Sequence, residues 1–111
     1  MTEMNNGADF PHAPDGWTQN AAKSKAADEG LAVSTDLWDA LRALQEFYSR
    51  HDGTRINARE IHDALEEYFH SRGGMKFLYE LLPGGPVTQG CRLAGLEAPA
   101  GSADQSFGSV M

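Results

Sequence analysis

The feature that most constrains the fold is an apolar stripe in the middle of the chain. Its members recur three or four residues apart, which is the spacing of one face of an α-helix. Either Ser34 or Thr35 can cap the first turn of such a helix. The pattern predicts an amphipathic helix near residues 35–50 that buries one side against other elements. The stripe consists of Leu37, Trp38, Leu41, Leu44, Phe47 and Tyr48.

The following segment predicts two more helices. Asn57, with Glu60 three residues later, resembles a capping box that opens a helix running to the Gly73–Gly74 stop. A shorter helix follows from Met75 to Leu82, and Pro83 ends it. The side chains expected to face the core are Ile61, Leu65, Tyr68, Phe69, Phe77, Leu78, Leu81 and Leu82.

Two weaker helix signals flank this region. One segment runs from Thr18 to Glu29, where alanine and lysine are frequent. The other runs from Pro86 to Ala94, because proline suits the first helical position and Gly95 can end the helix. Turn residues also allow a short β-hairpin near Asp9 to Trp17. The predicted fold is mostly α, a small helical bundle with this hairpin as an option.

The length limits the domain organisation. A chain of 111 residues fits one small hydrophobic core, and its 41% hydrophobic content can supply one. From Glu97 to Met111 the sequence is dominated by Ala, Gly, Ser and Pro, which bury too little surface to order themselves. We therefore expect one helical domain over residues 1–96 and a flexible C-terminal arm over residues 97–111.

The charge and the hydropathy pattern exclude several function classes. A net charge of -7 argues against nonspecific binding to nucleic acid or to anionic membranes. The second and third helices suggest a helix-turn-helix, but the later one is acidic, so a DNA-binding regulator is a weak alternative. No apolar stretch approaches the roughly 20 residues of a membrane span, and the first ten residues lack signal-peptide features. We expect a cytoplasmic protein with no membrane partner.

Cys91 is the only cysteine, which excludes an intramolecular disulfide and a cysteine-based zinc cage. It can be either a buried hydrophobe or a reactive thiol, and the sequence leaves both roles open. Arg92 follows it directly and could stabilise a thiolate. A position late in the Pro86–Ala94 helix argues the other way, because the helix dipole opposes negative charge there.

The remaining polar clusters give weaker signals. His62, Glu66 and His70 share one helical face, a spacing that permits metal coordination, but the neighbouring acidic residues favour a solvated surface. No nucleophile elbow, phosphate-binding loop or paired-carboxylate site is present. We expect no metal and no cofactor, and stand-alone catalysis has little support.

A run of residues from Leu78 to Leu96, which reads LYELLPGGPVTQGCRLAGL, resembles the C-terminal signature of the DsrC/TusE family of sulfur-relay proteins. Upstream residues keep the family's register, so that the resemblance covers about residues 9–102. They are Trp17, Thr18, Glu29, Gly30, Leu31, Trp38, Leu41, Phe47 and Tyr48.

This resemblance implies a mostly helical protein with a short N-terminal hairpin and a mobile C-terminal arm. It also implies a carrier that holds sulfur as a cysteine persulfide, or as a trisulfide between two arm cysteines. Such carriers pass sulfur between partner proteins in sulfur oxidation, sulfite reduction or tRNA thiolation.

The chain departs from the family at the second of its two arm cysteines. Cys91 matches the first, but Ser102 occupies the second, and nine further residues follow it. A serine hydroxyl cannot form a persulfide or a disulfide, so a two-cysteine cycle within this chain is excluded. Arg59 matches one of the family's basic residues, whereas Asp63 stands where a lysine is expected.

These observations predict a divergent sulfur carrier or sensor. Cys91 is its only candidate for a persulfide or mixed disulfide, with Arg92 and Arg59 supporting the thiolate or an anionic sulfur group. The expected partners are proteins of sulfur metabolism, such as sulfurtransferases or sulfite-reductase-like complexes. The alternative is a non-catalytic regulatory or docking protein that binds these partners without carrying sulfur.

Overall fold

A computed structural model describes residues 10–51 and 56–99. Within these two stretches the chain is helical and contains no strand, in agreement with the predicted mostly α fold. The helices are α1 (Gln19–Asp28), α2 (Thr35–Arg50), α3 (Ala58–Tyr68), α4 (Gly74–Leu81) and α5 (Pro86–Ala94), with a 3-10 turn at His70–Arg72. None of these helices is both long and apolar enough to cross a membrane.

Side-chain caps fix where three of the helices begin. The Thr18 hydroxyl accepts a hydrogen bond from the Ala21 amide at the start of α1. Ser34, rather than Thr35, caps α2, and the Asn57 side chain accepts from the Glu60 amide at the start of α3. Each cap satisfies an amide that has no partner within the helix. The predicted capping positions at Ser34 and Asn57 are thus confirmed.

The core lies where α2 packs against α5 and α3. Leu41 and Leu44 of α2 are completely buried, as the apolar stripe predicts. The short helix α5 is buried even more thoroughly, since seven of its nine residues are buried. Gly90 allows this close approach, because a Cβ atom there would lie 2.6 Å from Cδ1 of Leu44.

One residue predicted to face the core lies at the surface. Tyr68 is 49% exposed, whereas the next residue, Phe69, is completely buried. The helix α3 ends at Tyr68, and Phe69 continues the line of Ile61 and Leu65 into the core. The core position therefore goes to Phe69, and the prediction for Tyr68 was wrong.

The N-terminal residues 10–17 form turns closed by backbone hydrogen bonds from Ala13 to Phe10 and from Trp17 to Pro14. The rings of Phe10 and Trp17 pack 4.8 Å apart, and both side chains are buried. The hairpin predicted near Asp9 to Trp17 begins outside the described residues. The predicted arm lies outside them from Ala100 onward.

Candidate functional site

Cys91 is the sixth residue of α5 and lies in the core. Its side chain is completely buried. Its Sγ atom lies 3.7 Å from the hydroxyl oxygen of Tyr48, and the thiol is the donor in this weak hydrogen bond. The candidate sulfur atom is therefore enclosed by protein in this conformation.

Burial raises the pKa of the Cys91 thiol from 9.0 to about 11, and the Tyr48 hydroxyl offsets only part of this effect. A buried thiolate is disfavoured because it loses its hydration. With a pKa four units above neutrality, about one molecule in ten thousand would hold the thiolate at pH 7. Since the thiolate is the nucleophile, burial in this conformation opposes reaction at Cys91.

Three side chains bind backbone carbonyls at the end of α5 or just after it. The last carbonyls of a helix have no partner within it, and two of these bonds supply partners to the carbonyls of Leu93 and Ala94. Two of the donors, Gln45 and Tyr48, come from one face of α2. The bonds run from Trp17 Nε1 to the Leu93 carbonyl at 2.7 Å, from Gln45 Nε2 to the Ala94 carbonyl at 3.0 Å, and from the Tyr48 hydroxyl to the Glu97 carbonyl at 2.6 Å.

The chain turns back after α5 through residues 95–98, which we call the cover segment. Gly95 ends the helix in the left-handed conformation, with φ of 80°. The Leu96 amide then donates to the Cys91 carbonyl at 2.8 Å. Leu96 and Ala98 pack against the core. The cover segment is therefore joined to the backbone of Cys91 and, at Glu97, to the side chain of Tyr48.

Arg92 points away from the thiol. Its guanidinium forms two bonds with the Glu29 carboxylate, at 3.1 Å from Nε and 3.0 Å from Nη2. The hydrogen bond from Arg92 lowers the pKa of Glu29, despite the opposing effect of burial. Gln89 donates to the same carboxylate at 2.7 Å and accepts from the Gly84 amide. Arg92 thus joins α5 to α1, while Cys91 faces the core.

Arg59 is exposed in the first turn of α3. The structure brings it into no described hydrogen bond or ion pair with Cys91. A role for Arg59 and Arg92 in supporting an anionic sulfur group stays a prediction.

The histidines considered for metal binding lie on the surface. His62 and His70 are exposed, and Glu66 Oε1 accepts from the Met75 amide at 3.0 Å, at the start of α4. Glu66 therefore caps a helix. In residues 10–51 and 56–99, no group of three or more His, Cys, Asp or Glu side chains is arranged to hold a metal ion.

A groove of about 480 Å³ lies between α2 and α3, and we call it the α2/α3 groove. His51 sits at one end of it, where its ring stacks on Phe47 with centroids 4.0 Å apart. The groove is mainly apolar and open to solvent. It is lined by Ala43, Leu44, Glu46, Phe47, Arg50, His51, Ile61, Ala64, Leu65 and Tyr68.

Sequence reasoning assigned no role at this site to Trp17, Gln45, Tyr48 or Glu29. The sequence did contain a signal for Gln45 and Tyr48. Both side chains have polar ends, and their spacing of three residues puts them on one face of a helix that carries a strong apolar stripe. A buried tyrosine hydroxyl usually has a hydrogen-bond partner. The identity of that partner depends on the fold and could not be read from the pattern.

Comparisons with known proteins identify relatives of this chain. A family model described as DsrC like protein matches residues 3–102. Sulfurtransferase TusE of Salmonella typhimurium is 29% identical over 83 residues, covering 75% of this chain and 76% of the relative. Sulfurtransferase TusE of Escherichia coli is 26% identical over the same share of each chain.

The solved structures contain a similar fold. The NMR structure of Allochromatium vinosum DsrC superimposes with a TM-score of 0.64 and 31% sequence identity, and the match covers 78% of each chain. The family model, over residues 3–102, includes the helical core and Cys91. The chain belongs to the DsrC-like protein family.

Proposed function

We propose that this chain is a sulfur-relay protein whose only sulfur-accepting atom is Sγ of Cys91. The observation that carries the proposal is that the sole cysteine stands at the family's first cysteine position, in a chain whose relatives include proteins named sulfurtransferase. A persulfide requires a thiol, and Ser102 cannot supply one. The proposed role is that of a carrier or sensor with one site.

The transfer step is an exchange of sulfur bonds. The Cys91 thiol loses its proton to solvent, and the thiolate attacks the outer sulfur of a donor persulfide, R–S–SH. A new S–S bond forms to Cys91, the donor's S–S bond breaks, and the donor leaves as a thiolate that takes up a proton. The products are Cys91–S–SH and R–SH, so the exchange requires no added oxidant or reductant.

The exposed basic residues Arg92 and Arg59 are proposed to attract an anionic donor or to stabilise the anionic persulfide. For Arg92 this support requires that its side chain loosen from Glu29, which it binds in the enclosed form. The proposed donors and acceptors are protein partners of sulfur metabolism, such as a sulfurtransferase or a sulfite-reductase-like complex. The proposed location is the cytoplasm, where reducing conditions keep a single thiol free.

The test is intact-protein mass spectrometry after incubation with inorganic polysulfide. The wild-type chain is expected to gain about 32 Da per sulfur atom, and a reductant should remove the addition. Cys91→Ser is the matched control and should show no addition. An addition that survives in Cys91→Ser would contradict the proposal, as would a wild-type chain that stays unmodified under conditions in which iodoacetamide labels Cys91.

A second candidate function is a regulatory or docking protein that binds the same partners without carrying sulfur. The complete burial of Cys91 favours it, because a structural cysteine would have the same environment. It predicts that Cys91→Ser binds a purified sulfurtransferase with the same Kd as the wild-type chain. Loss of binding in that variant would overturn this candidate and favour a mixed disulfide or persulfide at the interface.

A further inference from the structure

Tyr48 occupies the position between the candidate sulfur atom and the segment that covers it. Its hydroxyl donates to the Glu97 carbonyl at 2.6 Å and lies 3.7 Å from Sγ of Cys91, whose thiol is the donor in that contact. One oxygen atom therefore connects the cysteine side chain with the backbone of the cover segment.

A tyrosine hydroxyl carries only one hydrogen. In the enclosed form that hydrogen is used for the Glu97 carbonyl. A thiolate cannot donate and needs a donor instead, and the Tyr48 hydroxyl is within reach of it. If the hydroxyl turned toward the thiolate, it would release the Glu97 carbonyl. The neutral thiol and the attached cover segment thus belong to one state, and the ionised thiol and the released segment belong to another.

We propose that Tyr48 is a positioning residue that holds the cover segment over Cys91, and that its bond to Glu97 must break before Cys91 exchanges sulfur with a donor. This inference rests on the proposed function of Cys91 and adds its regulation. Tyr48 acts mainly through the position of residues 95–98, and its contact is with Sγ of Cys91 and not with the sulfur atom that is transferred.

The geometry of the cover segment agrees with a local opening. The segment begins at Gly95, a glycine with positive φ that ends α5, so the direction of the chain changes there. A single hydrogen bond joins it to Tyr48, while the Gly95 and Leu96 amides both donate to the Cys91 carbonyl where α5 ends. Trp17 and Gln45 hold the Leu93 and Ala94 carbonyls, so α5 itself can stay in place while the following residues move.

The first test compares Tyr48→Phe with the wild-type chain in the rate of Cys91 alkylation by iodoacetamide at pH 8. Phenylalanine keeps the partly buried ring packed against the core and removes only the hydroxyl. We expect labelling about fivefold faster, which is the change in an opening equilibrium expected for the loss of one hydrogen bond. The matched control is Tyr79→Phe, since Tyr79 on α4 is 50% exposed, and its labelling rate should equal that of the wild-type chain.

The sign of the effect separates two roles of the hydroxyl. If Tyr48 served mainly to stabilise the thiolate, its removal would raise the pKa of Cys91 and slow the labelling. A Tyr48→Phe rate equal to or slower than the wild-type rate therefore overturns the proposal. A pH profile of the labelling distinguishes a faster opening, which raises the rate at every pH, from a shifted thiol pKa.

A second test needs no variant and uses the wild-type chain in low concentrations of urea. If the cover segment opens locally, little surface is exposed, and the labelling rate should be almost independent of urea below the unfolding transition. A steep dependence that follows global unfolding would show that Cys91 reacts only in the unfolded chain. That result overturns the proposal even if Tyr48→Phe fails to fold.

The same samples separate this inference from the proposed function. Polysulfide treatment of the wild-type chain reports whether Cys91 accepts sulfur at all. Sulfur addition with equal rates in the wild-type and Tyr48→Phe chains would overturn the role of Tyr48 and leave the carrier function standing. Faster alkylation in Tyr48→Phe with no sulfur addition in either chain would support the cover and contradict the carrier function.

Discussion

The two sides of α2 differ in how completely they are covered. On one side, Gln45 and Tyr48 reach the backbone after Cys91, and the cysteine is completely buried. On the other side, Ala43 and Phe47 line the α2/α3 groove, which is open to solvent. One helix therefore borders both a closed interface with α5 and an open one with α3.

This difference shows how the protein restricts its only thiol. A side chain in the groove can change its exposure by rotating, because space is available next to it. At the α5 side, a Cβ atom on Gly90 would lie 2.6 Å from Cδ1 of Leu44, so the two helices leave little space between them there. In the arrangement proposed above, access to Cys91 comes from movement of the cover segment, whose Glu97 carbonyl is bound by the Tyr48 hydroxyl.

The largest expected effect is on packing, tested by introducing one leucine on each side of α2. Gly90→Leu should lower the free energy of unfolding by about 3 kcal/mol, because the interface has no room for a side chain. Ala64→Leu, on the groove side of α3, should change it by less than about 1 kcal/mol. Urea denaturation of both variants measures the difference. Equal losses would mean that the two sides are packed alike.

The next effect concerns pH. The folded chain keeps the Cys91 proton up to about pH 11, while the unfolded chain releases it near pH 9. The stabilisation from the neutral thiol is therefore complete below pH 9 and is lost as the pH rises through 11. The shift of about two units corresponds to about 2 to 3 kcal/mol.

Cys91→Ala removes this titration and provides the comparison. Urea denaturation at pH 8 and pH 10.5 should show a steeper loss of stability in the wild-type chain than in Cys91→Ala. Parallel losses in the two chains would indicate that solvent reaches the thiol, and the contrast between the two sides of α2 would fail.

The smallest effect concerns the outer rim of the closed side, where Arg92 and Glu29 form an accessible ion pair. Arg92→Gln should slow sulfur uptake from anionic polysulfide about twofold, because a positive charge near Cys91 is lost. Glu29→Gln should speed it by a similar factor. Both changes should disappear in 1 M salt, which screens exposed charges.

Neither of these two variants should change the free energy of unfolding by more than about 1 kcal/mol, since exposed ion pairs contribute little. The uptake rates can be followed by mass spectrometry at short times. If both variants took up sulfur at the wild-type rate, Arg92 would be removed from the proposed site, and Arg59 would be the basic residue left to test.

The helices could be predicted because their signals are local. The stripe on α2 and the caps at Ser34 and Asn57 depend on neighbours within a few residues. The structure confirms both the helix and the two caps. The deep burial of α5 was not predictable in the same way. Its buried residues include Gln89, Gly90 and Ala94, whose burial depends on which helices pack around them and not on a local pattern.

The candidate site was predictable only in part. The family resemblance and the single cysteine identified Cys91, but the bond from Tyr48 to Glu97 joins residues 49 positions apart. The sequence next to Cys91 favoured Arg92 as its companion, whereas a helix places successive side chains in different directions, and Arg92 reaches Glu29 instead. Contacts of this kind follow from the fold and not from local spacing.

The hydrogen bond from Trp17 to the Leu93 carbonyl joins residues 76 positions apart. This bond can form only when the N-terminal turns and the end of α5 are both present. A chain that lacked residues 10–17 would therefore leave the Leu93 carbonyl, at the unpaired end of the helix, without this partner.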